Sequence, residues 1–292
     1  MKILLLTSGG DAPGMNRFIF DVFKKNKDTT FFAYGGFEGL VNGQFFPLKD
    51  VINKNLRDEA GTVIKSSRCP EFKKDDVFAL GLANAKQFDV VIILGGNGSE
   101  KGAKRLYENG VNTIFVPGTI DNDVDDSFYS IGFSTAVKEG VYAVQNSMPS
   151  IQSFNMSCIF EVMGRNEPDI ARAVSEKTNA DYVIAEKKDL DFEKIGNLIL
   201  KNYLQNRSTC IIARENIMDS VKIAKELNET IGIDLVKYQL VGRTQRGGKP
   251  TQEELTMASK FAKEANRCIR DKVYGVRILA DKNYNIFLDE LV

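Results

Sequence analysis

The chain predicts an α/β fold with mainly parallel sheet, built either as one large unit or as two lobes around a cleft. Apolar runs of four to five residues recur without alternation, as strands buried on both faces require, and a segment of helical period usually follows. At 292 residues the chain also exceeds the size at which a single hydrophobic core usually keeps growing.

The first run, Ile3 to Leu6, feeds a glycine turn and a helix expected from Gly14 to Lys25. Strands follow at Val90 to Leu94 and Thr113 to Val116, with a helix between them from Lys101 to Glu108. Beyond a helix from Ser134 to Asn146 come strands at Cys158 to Val162, Thr209 to Ala213 and Tyr238 to Val241. They are spaced by helices at Asp169 to Ser175, Phe192 to Leu204 and Asp219 to Glu229. Thr251-Gln252-Glu253-Glu254 is a capping box, so a last helix should start there and run to Arg270. Ligands in such folds bind beyond the carboxyl ends of the strands, which is where the distinctive loops fall. Lobe boundaries are expected near residues 133 and 246, and no internal repeat or low-complexity tract is visible.

Composition narrows the chemistry. Lys plus Arg and Asp plus Glu each number 39, so bulk charge gives no pull toward nucleic acid or anionic membrane, and neither partner is expected. The chain has no histidine, which removes Ser-His-Asp triads, histidine general bases and the commonest zinc sites. The four cysteines lie far apart without C-x-x-C spacing and read as inert thiols. No window approaches the ~18 apolar residues of a membrane span. The apolar start, Ile3 to Leu6, is too short for a signal peptide, so a cytoplasmic location is expected.

Two glycine loops follow strands. Thr7 to Asn16 places Gly9, Gly10 and Gly14 around Pro13, an arrangement that aims backbone N–H groups at an anion. Met15 and Asn16 stand where a P-loop needs Lys and Ser or Thr, so that motif fails, and for this loop alone a tight strand-to-helix turn is an equal reading. Gly95-Gly96-Asn97-Gly98-Ser99 makes a better phosphate cradle.

The acidic loop Pro117-Gly118-Thr119-Ile120-Asp121-Asn122-Asp123 sets two carboxylates one residue apart. One of them could hold Mg²⁺ while the other accepts a hydroxyl proton, a division common in phosphoryl transfer. Three basic loops complete the set: Arg243 to Lys249, Met163-Gly164-Arg165, and Ser66 to Pro70 around Arg68. Guanidinium forks match phosphate oxygens in pairs, so arginines along one edge argue for a doubly phosphorylated reaction centre. Runs such as Lys24 to Lys27 and Glu186 to Asp189 are solvated faces.

Taken in order, Thr7 to Asn16, Arg68 to Phe72, Gly95 to Ser99, Pro117 to Asp123, Glu161 to Arg165 and Gln245 to Pro250 resemble the bacterial ATP-dependent 6-phosphofructokinase family across nearly the whole chain. The resemblance implies two Rossmann-like three-layer α/β/α lobes around a cleft. Residues 1–132, with part of 247–292 returning, would bind nucleotide, and residues 133–246 would bind sugar phosphate. It implies ATP over Gly10, Arg68, Cys69, Lys73, Gly96, Asn97, Gly98 and Ser99, with Mg²⁺ at Asn97 and Asp123. Fructose 6-phosphate would meet Thr119, Ile120, Asp121, Met163, Gly164, Arg165, Glu215, Lys237, Arg243 and Arg246. Asp121 would be the base taking the proton of the sugar 1-hydroxyl, with Thr119, Arg68 and Arg165 assisting. The family's pyrophosphate-using branch usually carries Asp at the place of Gly98 and Lys at that of Gly118, so both glycines point to ATP.

Departures matter as well. Asn97 replaces an Asp that helps hold Mg²⁺, which removes one negative charge. Met156 and Lys237 replace two arginines that in the family reach a neighbouring subunit's sugar 6-phosphate, while Arg243, usually His, compensates in part. The positions of the family's basic effector pocket hold Phe20, Asp50, Met148, Leu204 and Asn206, with only Lys24 and Arg207 keeping positive charge nearby, so no effector control is expected. Val292 falls before the family's usual end, which implies a missing terminal helix; a homo-oligomer, tetramer or dimer, is expected. The alternatives are a weakened or inactive paralogue acting as a regulatory subunit of an active partner, and a kinase for another hexose phosphate such as tagatose 6-phosphate.

Overall fold

The computed structural model describes residues 1–291; the expectation about the chain's end at Val292 lies outside them. The strands are β1 Ile3–Ser8, β2 Thr30–Ala33, β3 Phe45–Pro47, β4 Ser66–Ser67, β5 Val90–Gly95, β6 Thr113–Pro117, β7 Ser157–Val162, β8 Tyr182–Ile184, β9 Cys210–Arg214, β10 Val236–Leu240, β11 Val276–Ala280 and β12 Ile286–Glu290. The helices are α1 Met15–Lys25, α2 Phe37–Val41, α3 Asp75–Ala85, α4 Asn97–Glu108, α5 Phe133–Ser153, α6 Asp169–Thr178, α7 Phe192–Leu204, α8 Ser220–Ile231, α9 Thr244–Gly247 and α10 Gln252–Asp271. The chain divides into two compact units, Met1–Thr135 with the segment from Arg246 onward, and Ala136–Gln245. Arg246 therefore lies in the first unit.

The first unit is built on one sheet in the order β12-β11-β6-β5-β1-β2-β3, with β4 also paired to β1. Its inner pairs are parallel, and antiparallel pairing occurs only at the outer strands β3 and β12. Alternate residues Leu4, Leu6, Val91, Ile93 and Phe115 pack on α2, α3 and α4. The intervening Ile3, Leu5, Ile92 and Ile114 are just as buried on the other face. Burial on both faces explains why these strands read as unbroken apolar runs.

Parallel register aligns the ends of the strands. Ser67, Ser8, Gly95 and Pro117 form one row across β4, β1, β5 and β6, so four loops leave the sheet from the same level. The second unit has a four-stranded parallel sheet, β10-β7-β9-β8, over a core of Ile159, Ile195, Ile199, Ile211, Ile223 and Leu227. None of the helices among the described residues is long and apolar enough to cross a membrane.

Two boundaries differ from expectation by four residues or more, the others by three or fewer. Helix α4 starts at Asn97, so Asn97, Gly98 and Ser99 are its first turn and not a free loop. Helix α5 runs seven residues past Asn146 and carries Pro149 inside it. That proline cannot donate a backbone hydrogen bond, which is why a sequence reading stops short of it.

Candidate active site

In the first unit the four aligned loops converge. The glycine turn after β1 is capped by Arg246, whose Nη1 donates to the Asp11 carbonyl at 2.9 Å. A Cβ at Gly10 would stand 2.3 Å from that Nη1, so what glycine admits here is a guanidinium. The Nη2 of Arg246 lies 3.9 Å from Asp121 Oδ1, which joins the glycine turn to the acidic loop. A Cβ at Gly96 would lie 2.8 Å from Asp123 Oδ1 and 3.4 Å from Thr119 Cβ, so the acidic loop also lies against the start of α4.

The acidic loop is shaped by its own side chains. Thr119 Oγ1 accepts the Asp121 N–H at 3.2 Å, and Ser130 Oγ donates to the Thr119 carbonyl at 2.7 Å and lies 3.1 Å from Asn122 Oδ1. Asp121 is only 7% exposed, which is rare for a carboxylate without a task or a partner. Asp123 Oδ1 is buried and accepts no hydrogen bond, an arrangement that costs free energy unless a cation or donor fills it.

Several expected ligand contacts are redefined. Ser99 Oγ donates to the Ser8 carbonyl at 3.2 Å and its N–H to the Gly96 carbonyl at 2.8 Å, so Ser99 shapes the turn and has no proton left for a phosphate. The N–H groups of Asn97 and Gly98 open the helix, where the first-turn donors lack intrahelical partners and an anion could be met. Ile120 is fully buried, backbone included, and supports the loop from within. Asn16 is structural: it donates to the carbonyls of Glu59 and Ala60 and accepts the Val63 N–H at 2.7 Å. Arg68 and Lys73 are exposed, and Cys69 is half-buried with its thiol pushed up by burial.

In the second unit Met163, Gly164, Arg165, Glu215 and Arg243 all lie just beyond one strand edge, since Glu161, Ala213 and Leu240 share a register row. Glu215 Oε1 accepts the N–H groups of Gly164 and Arg165 at 3.3 and 2.9 Å, so its visible task is to hold that loop. Arg165 adopts the left-handed conformation, φ 54°, and its carbonyl accepts from Arg214. Gln245, fully buried, accepts the Met163 N–H at 2.8 Å and donates to the Ala136 carbonyl at 3.0 Å. The side chains of Arg165 and Arg243 are exposed and without ion pairs among the described residues, whereas Lys237 is engaged by Asp234 at 2.9 Å. Arg214 and Gln245 went unrecognised in the sequence, although an arginine closing an apolar strand was a signal.

Aligned glycine and acidic loops at the carboxyl edge of a parallel sheet define an α/β protein built for phosphorylated ligands. The family model described as Phosphofructokinase matches residues 2–269. The chain belongs to the phosphofructokinase family. It is 36% identical over 283 residues to an ATP-dependent 6-phosphofructokinase of Lactococcus lactis subsp. lactis (strain IL1403), covering 95% of this chain and 83% of that one. Among solved structures, a pyrophosphate-dependent phosphofructokinase of Nitrosospira multiformis matches with TM-score 0.88 at 15% identity over 99% of this chain and 83% of its own. The phosphofructokinase of Saccharomyces cerevisiae matches with TM-score 0.85 at 24% identity over 99% of this chain, which spans 44% of the yeast chain. At those identities the two structures speak for the fold alone.

Proposed function

We propose that the protein is an ATP-dependent 6-phosphofructokinase, moving the γ-phosphoryl group of ATP to the 1-hydroxyl of fructose 6-phosphate in glycolysis. The observation that carries this reading is the cluster of Arg246, Asp121, Gly10 and the start of α4 at one level of the sheet. Asp121 takes the sugar hydroxyl proton as the oxygen attacks phosphorus. Arg246 beside it and the Asn97 and Gly98 N–H groups face the phosphate charges. Arg68 and Arg165 assist, and Met163 to Arg165 with Arg243 bind the sugar phosphate from the second unit. In this reading 1–135 with the returning segment is the nucleotide lobe and 136–245 the sugar lobe.

Gly98 favours ATP over pyrophosphate. Nothing lies within 4 Å of a Cβ placed there, so the helix start stays open to a nucleotide. A Cβ at Gly118 would sit 2.8 Å from Leu94 Cγ, and no long side chain fits without repacking.

Magnesium fits as the phosphates' counterion. The bare Asp123 oxygen beside Gly96 is a hard ligand, and Mg²⁺ is usually held by one or two carboxylates with phosphate and water completing the shell. Asp123 and the Asn97 amide would hold it, and when bound it neutralises charge on the β- and γ-phosphates. Because Asn97 supplies no charge, Asn97→Asp is expected to lower the Mg²⁺ concentration for half-maximal activity by about tenfold, as ligand charge sets affinity at oxygen sites. Titrating Mg²⁺ in a coupled ADP-release assay checks this. An unchanged half-saturation point removes Asn97 from the metal. Wild-type turnover in that assay also separates the enzyme from an inactive paralogue, and a panel of hexose phosphates, tagatose 6-phosphate included, fixes the sugar.

The effector positions offer little for an anion. Arg57 lies over the Phe20 ring, Leu204 is 81% exposed, and Arg207 is engaged by Asp181 and Asn202. Saturation with fructose 6-phosphate is expected to be hyperbolic and indifferent to ADP and phosphoenolpyruvate. A sigmoidal curve relieved by ADP would show a working effector site. The active species is proposed to be a homo-oligomer in the cytoplasm.

A further inference from the structure

We propose that Arg277, outside every expected site, is a positioning residue that fixes the phosphate-facing turn of α4 against the acidic loop and so sets the affinity for Mg-ATP. The inference rests on the kinase reading above. Arg277 projects from β11 and is 14% exposed, yet all five of its N–H groups are used. Nε and Nη2 donate to Asp289 Oδ2 at 2.9 and 2.6 Å, anchoring the guanidinium on β12. Nη1 donates to Glu100 Oε1 at 2.9 Å, and Glu100 is the fourth residue of α4, directly after the turn of Asn97, Gly98 and Ser99. The same Nη1 reaches the Asp125 carbonyl at 3.2 Å, and Nη2 reaches Asp126 Oδ2 at 2.7 Å, in the segment that follows Asp123.

One rigid fork therefore ties the anion-facing end of α4 to the acidic loop. Between those two tied segments sits Asp123, its bare oxygen against Gly96. Asp126 holds φ 65°, a conformation that aspartate tolerates but does not favour, so the loop is bent to meet the arginine. Three carboxylates around one guanidinium leave the cluster net negative, so neutralising the arginine would set Glu100, Asp126 and Asp289 against each other and part the two segments. A lysine restores the charge but not the planar fork.

The test is calorimetric titration of the full chain with Mg-ATP and, separately, with fructose 6-phosphate, alongside thermal melts. Arg277→Met is expected to raise the Kd for Mg-ATP by about tenfold, the lower end of the effect of lost outer-shell partners on metal sites, and to leave the Kd for fructose 6-phosphate unchanged. Arg277→Lys should recover part of the loss. Asp126→Asn keeps the backbone conformation and cuts one arm, and should weaken Mg-ATP by about threefold, as for an exposed charged pair. A lower melting temperature with wild-type Mg-ATP affinity in Arg277→Met makes the residue merely structural and overturns the proposal. If that variant does not fold, unchanged Mg-ATP affinity in both Asp126→Asn and Glu100→Gln overturns it. A wild-type protein that binds no Mg-ATP defeats the kinase reading itself, and this inference falls with it.

Discussion

Asp121→Asn should turn over about 10²- to 10⁴-fold more slowly than the wild type, the range for losing a general base. Asparagine keeps the volume and the N–H that bonds to Thr119 Oγ1, so the loop should hold its shape. What disappears is an atom able to take a proton. The chain has no histidine, Arg246 is permanently charged and Asp123 is assigned to the metal in this reading, so no neighbouring side chain is left to replace it. The loss should therefore fall on kcat, with a much smaller change in KM for either substrate, since removing an interaction made only in the transition state lowers kcat and kcat/KM together. Steady-state ADP release with both substrates varied reads this directly. A kcat within a few fold of the wild type would take Asp121 out of the proton transfer.

How far these residues could be read from the sequence depends on what each one packs against. The strands β1, β5, β6, β7 and β9 are legible because each carries a run of buried apolar residues, whereas β10 is an edge strand of which only the carboxyl end, from Tyr238, reads as apolar and whose Lys237 and Gln239 are polar. Strand β11 is not, because Arg277 interrupts Val276 to Ala280, and β12 is an outer strand that ends in Asp289 and Glu290 and has no fully buried residue. The first turn of α4 read as a loop since Gly98 and Asn97 are poor helix formers. Its helical geometry is set from outside, by Ser99 on the Ser8 carbonyl and Glu100 on Arg277. Asp121, Asp123 and Arg246 were legible as a motif, and their mutual distances were not. The partners that hold the loops, Glu215, Gln245, Arg277 and Glu254, belong to distant segments, and nothing local in the sequence marks a side chain that will hydrogen-bond to another segment.

Glu254 is the largest structural liability among them. The side chain is fully buried, and its carboxylate accepts from Tyr129 Oη and the Gly132 N–H on Oε1, and from Ser134 Oγ, the Thr135 N–H and Thr135 Oγ1 on Oε2, at 2.7 to 3.2 Å. These donors sit on the return leg of the acidic loop, where Ile131 pairs with Gly118 and Ser130 supports Thr119. Glu254→Ala strands two buried backbone N–H groups, so a loss of about 3–5 kcal/mol in unfolding free energy is expected, at about 1–3 kcal/mol for each orphaned group plus the lost packing. Burial outweighs the five donors and pushes the carboxyl from 4.5 up to about 7. The folded state then binds more protons than the unfolded state between those values, so this contribution to stability is complete below pH 4.5, falls as pH rises toward 7 and levels off above it. The whole decline amounts to about 3 kcal/mol, because each tenfold difference in proton affinity between the two states is worth about 1.4 kcal/mol. Denaturant titrations at about pH 5, 6, 7 and 8 should show that decline in the wild type and its absence in Glu254→Gln, which cannot titrate. An equal decline in both would assign it to another group and leave Glu254 ionised throughout.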